Sequence, residues 1–151
     1  MADLASSFKS ITFVERTLML VNIVALMVRY FFHFQSDFFL EVFAILLALL
    51  YFPFGFYSIG KPGEHYNYTI PIILGLVYGL GQVSLLISAA NVESYRYPLI
   101  ADFFVLLAIV IYLMFRMRRE NYPAVFINTQ FLRISYFVLC GLIIVIKSMP
   151  A

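Results

Sequence analysis

Apolar residues gather in five long stretches, Thr17 to Phe34, Phe38 to Tyr57, Ile70 to Ala90, Pro98 to Phe115 and Phe131 to Lys147, divided by polar segments. Each is long enough to cross a hydrocarbon core of about 30 Å as a helix. One or two polar residues interrupt several of them, so the assignment rests on mean hydropathy. Only Gln35-Ser36-Asp37 separates the first two. That predicts a tight helical hairpin, because one unbroken helix through both stretches would overshoot the bilayer. The remaining connections are turn-rich. Residues 58–69 include Gly60, Pro62, Gly63 and Asn67, and residues 91–97 end before Pro98. Residues 116–130 hold Arg116, Arg118, Arg119, Asn121 and Pro123, then a brief apolar patch, 124–127, which reads as a loop anchor. There is no internal repeat or low-complexity tract. The expected architecture is all-α and integral to the membrane, a single domain over residues 1–151 forming a five-transmembrane-helix bundle.

Ahead of the first stretch, Leu4, Phe8, Ile11 and Val14 fall near one helical face. They predict a short N-terminal interfacial helix on the cytoplasmic leaflet. Lys9 and Arg16 precede an apolar run, but Arg29-Tyr30-Phe31-Phe32 follows it where a signal peptide would carry small residues. The first stretch therefore reads as a permanent helix.

Composition strengthens the membrane reading. Of 151 residues, 64% are hydrophobic and 12% charged, far from the balance of a soluble domain of this size. A net charge of +2 is too small for a nucleic-acid partner. Cys140 is the only cysteine, which excludes an intrachain disulfide, a CxxC motif and a thiolate metal cage. With Trp absent, Tyr and Phe must supply any interfacial belt, and the aromatic run from Tyr51 to Tyr57 reads as such a belt.

Cations set the orientation. With five spans, Lys9, Arg16, Lys61, Arg116, Arg118 and Arg119 share one side, with Arg133 just inside the last span. The other side has Arg96 and Lys147 near its boundary and Arg29 within the first span. Positive-inside asymmetry puts the N-terminus in the cytoplasm and the C-terminus outside. The expected location is a bacterial inner (plasma) membrane.

Polar residues inside the spans fall on stripes. Glu15, Asn22 and Arg29 share a sector of the first helix, with His33 one turn beyond; Asp37, Glu41, Ala44 and Ala48 share a face of the second. Asp102 aligns with Leu106, Ile109 and Arg116 in the fourth, and Arg133 with Tyr136, Cys140 and Lys147 in the fifth. The stripes are expected to turn inward. The third span is different. Gly75, Gly79 and Gln82 mark one face, and Gly81, Ser84 and Ser88 the opposite one. Small residues on both sides let backbones approach closely on both sides. That helix is expected to be central, or to pack one face in the bundle and the other on a protein partner or a second copy.

Depth brings some of these groups together. At about 1.5 Å per residue, Arg29, Glu41 and Asp102 all fall roughly 5–8 Å below the outer boundary. Charges are expensive there unless paired, and a guanidinium can fork across two carboxylates. The expectation is an intramembrane cluster of Arg29, Glu41 and Asp102, bordered by His33 and Asp37. It is either a structural ion-pair network or an ion pathway. A metal or small-ligand site there is disfavoured by Arg29 and by the single histidine. His33 and His65 lie on opposite sides in this topology, so they cannot share a haem. No HExxH, nucleophile elbow, P-loop or paired nucleotide fingerprint occurs, and no cofactor is expected. Cys140 reads as a packing residue.

The loops are too small to house a soluble active site. The expected role is an accessory or scaffolding subunit of a larger membrane complex. A small ion- or proton-coupled transporter or channel is the rival class, and a membrane enzyme acting on lipid is the third.

Overall fold

The computed structural model describes residues 2–32, 38–52, 69–89, 96–122 and 124–148. They form five helices: α1 (Ala2–Phe32), α2 (Phe38–Tyr51), α3 (Thr69–Ala89), α4 (Arg96–Arg119) and α5 (Ala124–Ser148). Three are long and apolar enough to cross a membrane, over Thr69–Ala89, Ile100–Arg119 and Ala124–Ile146, while α2 is a shorter apolar helix. The chain is thus a helical membrane protein.

Each helix packs on its neighbours in sequence, α5 closes back on α1, and α3 also touches α5. Successive helices run in opposite directions. Two clefts where α3, α4 and α5 meet show this for α3 and α4: one is lined by Val77, Gly81, Leu106 and Val110, the other by Leu85, Ser88, Ile100 and Phe103. Tyr51, at the end of α2, stacks near Tyr78 of α3. The central position expected for the third span is observed: α3 contacts α2, α4 and α5. Gly79 packs beneath α2, where an added Cβ would lie 3.5 Å from Phe52 Cβ and 3.6 Å from the Ala48 carbonyl oxygen. On the other side, a Cβ at Gly81 would meet Phe137 at 3.1 Å.

The core follows helical spacing. Leu40, Ala44, Leu47 and Tyr51 are the buried face of α2, and Phe126, Gln130, Arg133, Phe137, Cys140 and Ile144 line that of α5. Hydroxyls on exposed faces are satisfied by their own helix. Thr17, Thr129 and Ser135 donate to the carbonyls of Phe13, Val125 and Phe131, each at 2.9 Å. This back-bonding keeps a hydroxyl tolerable against lipid.

Two boundaries differ from expectation. The N-terminal segment is not a separate interfacial helix, because α1 is continuous over Ala2–Phe32. No Gly or Pro occurs in that stretch to interrupt it. The connection expected over residues 116–130 is also much shorter: α4 runs to Arg119 and α5 starts at Ala124. Asn121 takes the left-handed conformation (φ 56°), and the Tyr122 N–H donates to the Met117 carbonyl at 3.2 Å. Together these make a Schellman cap, completed by burial of Met117 and Tyr122. Such a cap stops a helix within a few residues, so the 124–127 patch becomes the first turn of α5.

Candidate functional site: a buried polar layer

Glu15 lies on the α1 face that also carries Met19, Asn22 and Leu26, all buried. Arg133 lies on the inward face of α5. Both are only 4% exposed, although Arg133 stands about 13 Å along α5 from its start. Their side chains meet in a two-point ion pair. Arg133 Nε donates to Glu15 Oε1 at 2.6 Å and Nη2 donates to Oε2 at 3.2 Å. Nη1 donates to Gln130 Oε1 at 3.4 Å, one turn back on α5. The guanidinium carbon sits 5.3 Å from the Tyr51 ring centre and 5.5 Å from that of Tyr78. Phe137 stacks on Tyr78 with centroids 5.6 Å apart. An arginine deep in an apolar bundle is tolerable only when neutralised and saturated with acceptors. Here Glu15 supplies the opposite charge, and the rings add a quadrupolar attraction in a site closed to water.

A second tier lies beside the first. The Tyr136 hydroxyl donates to Gln82 Oε1 at 3.0 Å, and Asn22, Cys140 and Ser88 are also buried. Among the described residues, four buried polar atoms lack a hydrogen-bonding partner: Asn22 Nδ2, the Tyr51 and Tyr78 hydroxyls, and Gln130 Nε2. The Tyr51 hydroxyl is within electrostatic reach of Glu15, Arg133, Tyr136 and Tyr78. An unmet buried donor costs about 1–3 kcal/mol, so this layer is held at some expense by the packing around it. Internal space is slight. The clefts against Gly141 and against Gly81 hold about 10 Å³ each, room for one water at most. Among the described residues no three of His, Cys, Asp and Glu gather as metal ligands.

The other expected site residues are distributed differently. Arg29 is half-buried in the last turn of α1, its guanidinium carbon 5.9 Å from the Tyr30 ring. Glu41, in the first turn of α2, and Asp102, near the start of α4, are both exposed. All three lie toward the same end of the bundle, but α4 packs mainly on α3 and α5, away from the α1–α2 pair. His33 and Asp37 lie outside the described residues. In α3, Gly75, Gly79, Gly81, Gln82 and Ser88 are buried and Ser84 is half-buried. The inward polar stripe expected of α4 is overturned. Asp102, Ile109 and Arg116 are exposed, while Phe103, Val110, Leu113, Met114 and Met117 face the core. The reason is steric: Phe103 fills the hollow left by Gly141, and the charged ends of α4 reach water by pointing outward.

The sequence puts Glu15 and Arg133 on inward stripes but does not pair them, because Glu15 precedes the first apolar stretch and Arg133 stands just inside the last. The signal existed: Gln130, Arg133, Tyr136 and Cys140 recur at helical spacing, and extending that face backward buries Arg133. Tyr51 was likewise assigned to an interfacial belt, yet it is 1% exposed. A hydroxyl-bearing ring ending a short helix reads the same in sequence whether it meets water or a buried cation. Comparison of the chain with protein-family models, curated proteins and solved structures gives no match, so a functional reading must come from this geometry.

Proposed function

We propose that the chain is a small five-span protein of a bacterial inner (plasma) membrane, N-terminus cytoplasmic and C-terminus outside, serving as an accessory or scaffolding subunit of a larger membrane complex. The alternating helix directions support five crossings. So does the alignment of α1 with the longer helices, Glu15 level with Arg133 and Tyr30 OH within 3.5 Å of the Ala89 carbonyl oxygen. Arg16 on α1, beside Glu15, and Arg118 and Arg119 in the last turn of α4 lie toward one end of the bundle and support its cytoplasmic placement.

One observation carries the structural role. Among the described residues, the buried charge pair joins the first helix to the last, uses both carboxylate oxygens, and lies between Tyr51 and Tyr78. Such a pair fixes register and closes the ring of helices. The test is gentle detergent extraction of the tagged chain from its own membrane. The expected result is co-purification of the same partners at fixed stoichiometry, and a lone homogeneous species would refute the reading.

A second reading, ion- or proton-coupled transport, draws on the unpartnered polar atoms flanking the pair. In liposomes, Glu15→Gln separates the two. A carrier shows pH-dependent flux in the wild type and loses it in the fraction of the variant that folds, whereas a scaffold shows no flux in either. Glu41→Gln and Asp102→Asn put the same question to the other end of the bundle.

A further inference from the structure

A larger hollow lies outside the polar layer, between α1 and α2. It measures about 310 Å³, is open along one side, and is walled by Val24, Ala25 and Val28 of α1 and by Phe39 and Phe43 of α2, with Arg29 at one end. The volume is that of a small ligand site. The α1 wall recurs at helical spacing, with Ala25 keeping the floor low. On α2, Phe39 and Phe43 flank the buried Leu40 on one side, and Glu41 projects about 100° away on the other. Among the described residues, Arg29 is therefore the charged side chain that lines the trough. It occupies the last turn of α1; in the five-span reading proposed above, on which this inference rests, that turn lies at the level of the membrane interface.

We propose that this trough is a lipid site, seating one acyl chain of an anionic phospholipid with the headgroup phosphate on Arg29. An apolar channel open to the bilayer takes a hydrocarbon chain because its walls offer no hydrogen bonds. The half-buried guanidinium at its end makes net headgroup charge matter, since its fork of donors fits phosphate oxygens. A single cation near the membrane surface gives roughly five-fold preference for an anionic lipid. The inference holds for a scaffold and for a carrier alike, so its fate is independent of either.

The experiment uses the full chain in detergent micelles doped with phosphatidylglycerol or phosphatidylcholine bearing the same acyl chains. Lipid retained after exchange into clean detergent is measured by native mass spectrometry. The wild type is expected to keep phosphatidylglycerol roughly five-fold over phosphatidylcholine. Arg29→Gln should equalise the two lipids without removing them. Val24→Phe, at an exposed position, should lower retention of both by filling the trough, with helical content checked by circular dichroism. Millimolar inorganic phosphate should displace neither lipid. Equal retention by the wild type, a preference that survives Arg29→Gln, or displacement by free phosphate would each overturn the proposal.

Discussion

Two ion pairs in this bundle have nearly the same length and opposite surroundings. Arg133 Nε lies 2.6 Å from Glu15 with both side chains 5% exposed; Arg116 Nε lies 2.7 Å from Glu120 with side chains 50% and 34% exposed. The first joins α1 to α5 across most of the chain. The second spans one turn at the end of α4. A distance alone would rank them together. Burial and chain separation rank them far apart, because a charge shielded by water on one side loses little when its partner goes, whereas a charge shut among rings loses nearly everything.

The largest expected effect follows directly. Arg133→Met leaves the Glu15 carboxylate buried without a cation and frees Gln130 Oε1 from its donor. Removing one partner of a buried pair costs about 3–5 kcal/mol, measured as a loss of unfolding free energy in detergent. The double variant Glu15→Leu with Arg133→Met removes both charges and should recover most of that loss. Recovery would identify the pair as a device of register. A double variant as unstable as the single one would mean that the pair itself carries net stability, which would weaken its comparison with a replaceable pin.

An intermediate effect separates two glycines that look alike in sequence. A Cβ at Gly141 would fall 2.7 Å from Cε1 of Phe103, whereas one at Gly79 meets nothing nearer than 3.5 Å. Phe103 is buried, so its ring cannot swing into lipid to make room. Gly141→Ala should cost about 1–3 kcal/mol by overpacking. Gly79→Ala should be neutral, or gain up to about 1 kcal/mol from helix propensity. Melting midpoints of the two variants, measured side by side in one detergent, check this. Equal costs would show that α4 and α5 meet no more closely than α2 and α3.

These contrasts show what the sequence made legible. Apolar stretches announced helices because their length and composition are local properties, and the small residues of α3 announced a central helix because close approach needs them on both faces. Pairing across the bundle was harder. Matching charges by depth required exact helix starts, and α5 starts at Ala124 because of a backbone conformation at Asn121 that leaves almost no trace in hydropathy. Moving that start turned Arg133 from a boundary cation into a core residue, and with it Glu15. The inward side of α4 was illegible for a related reason. Asp102 and Arg116 align on one face, but each sits near a helix end, where an exposed charge needs no partner in the bundle.

The smallest effect belongs to the exposed pair, and its smallness is informative. Glu120→Gln removes the charge opposite Arg116 at the turn between α4 and α5 and leaves an amide oxygen in its place. Water replaces the lost contact on both sides, and salt already screens it. The turn itself is held by the backbone: the Glu120 N–H donates to the Arg116 carbonyl at 3.0 Å, and the Tyr122 N–H to that of Met117 at 3.2 Å. Neither bond involves the carboxylate. The unfolding midpoint of Glu120→Gln should therefore equal that of the wild type at both low and high salt, against the steep loss from Arg133→Met. A clear salt-dependent drop would place this turn in a less hydrated setting, and the line drawn between the two ion pairs would have to move.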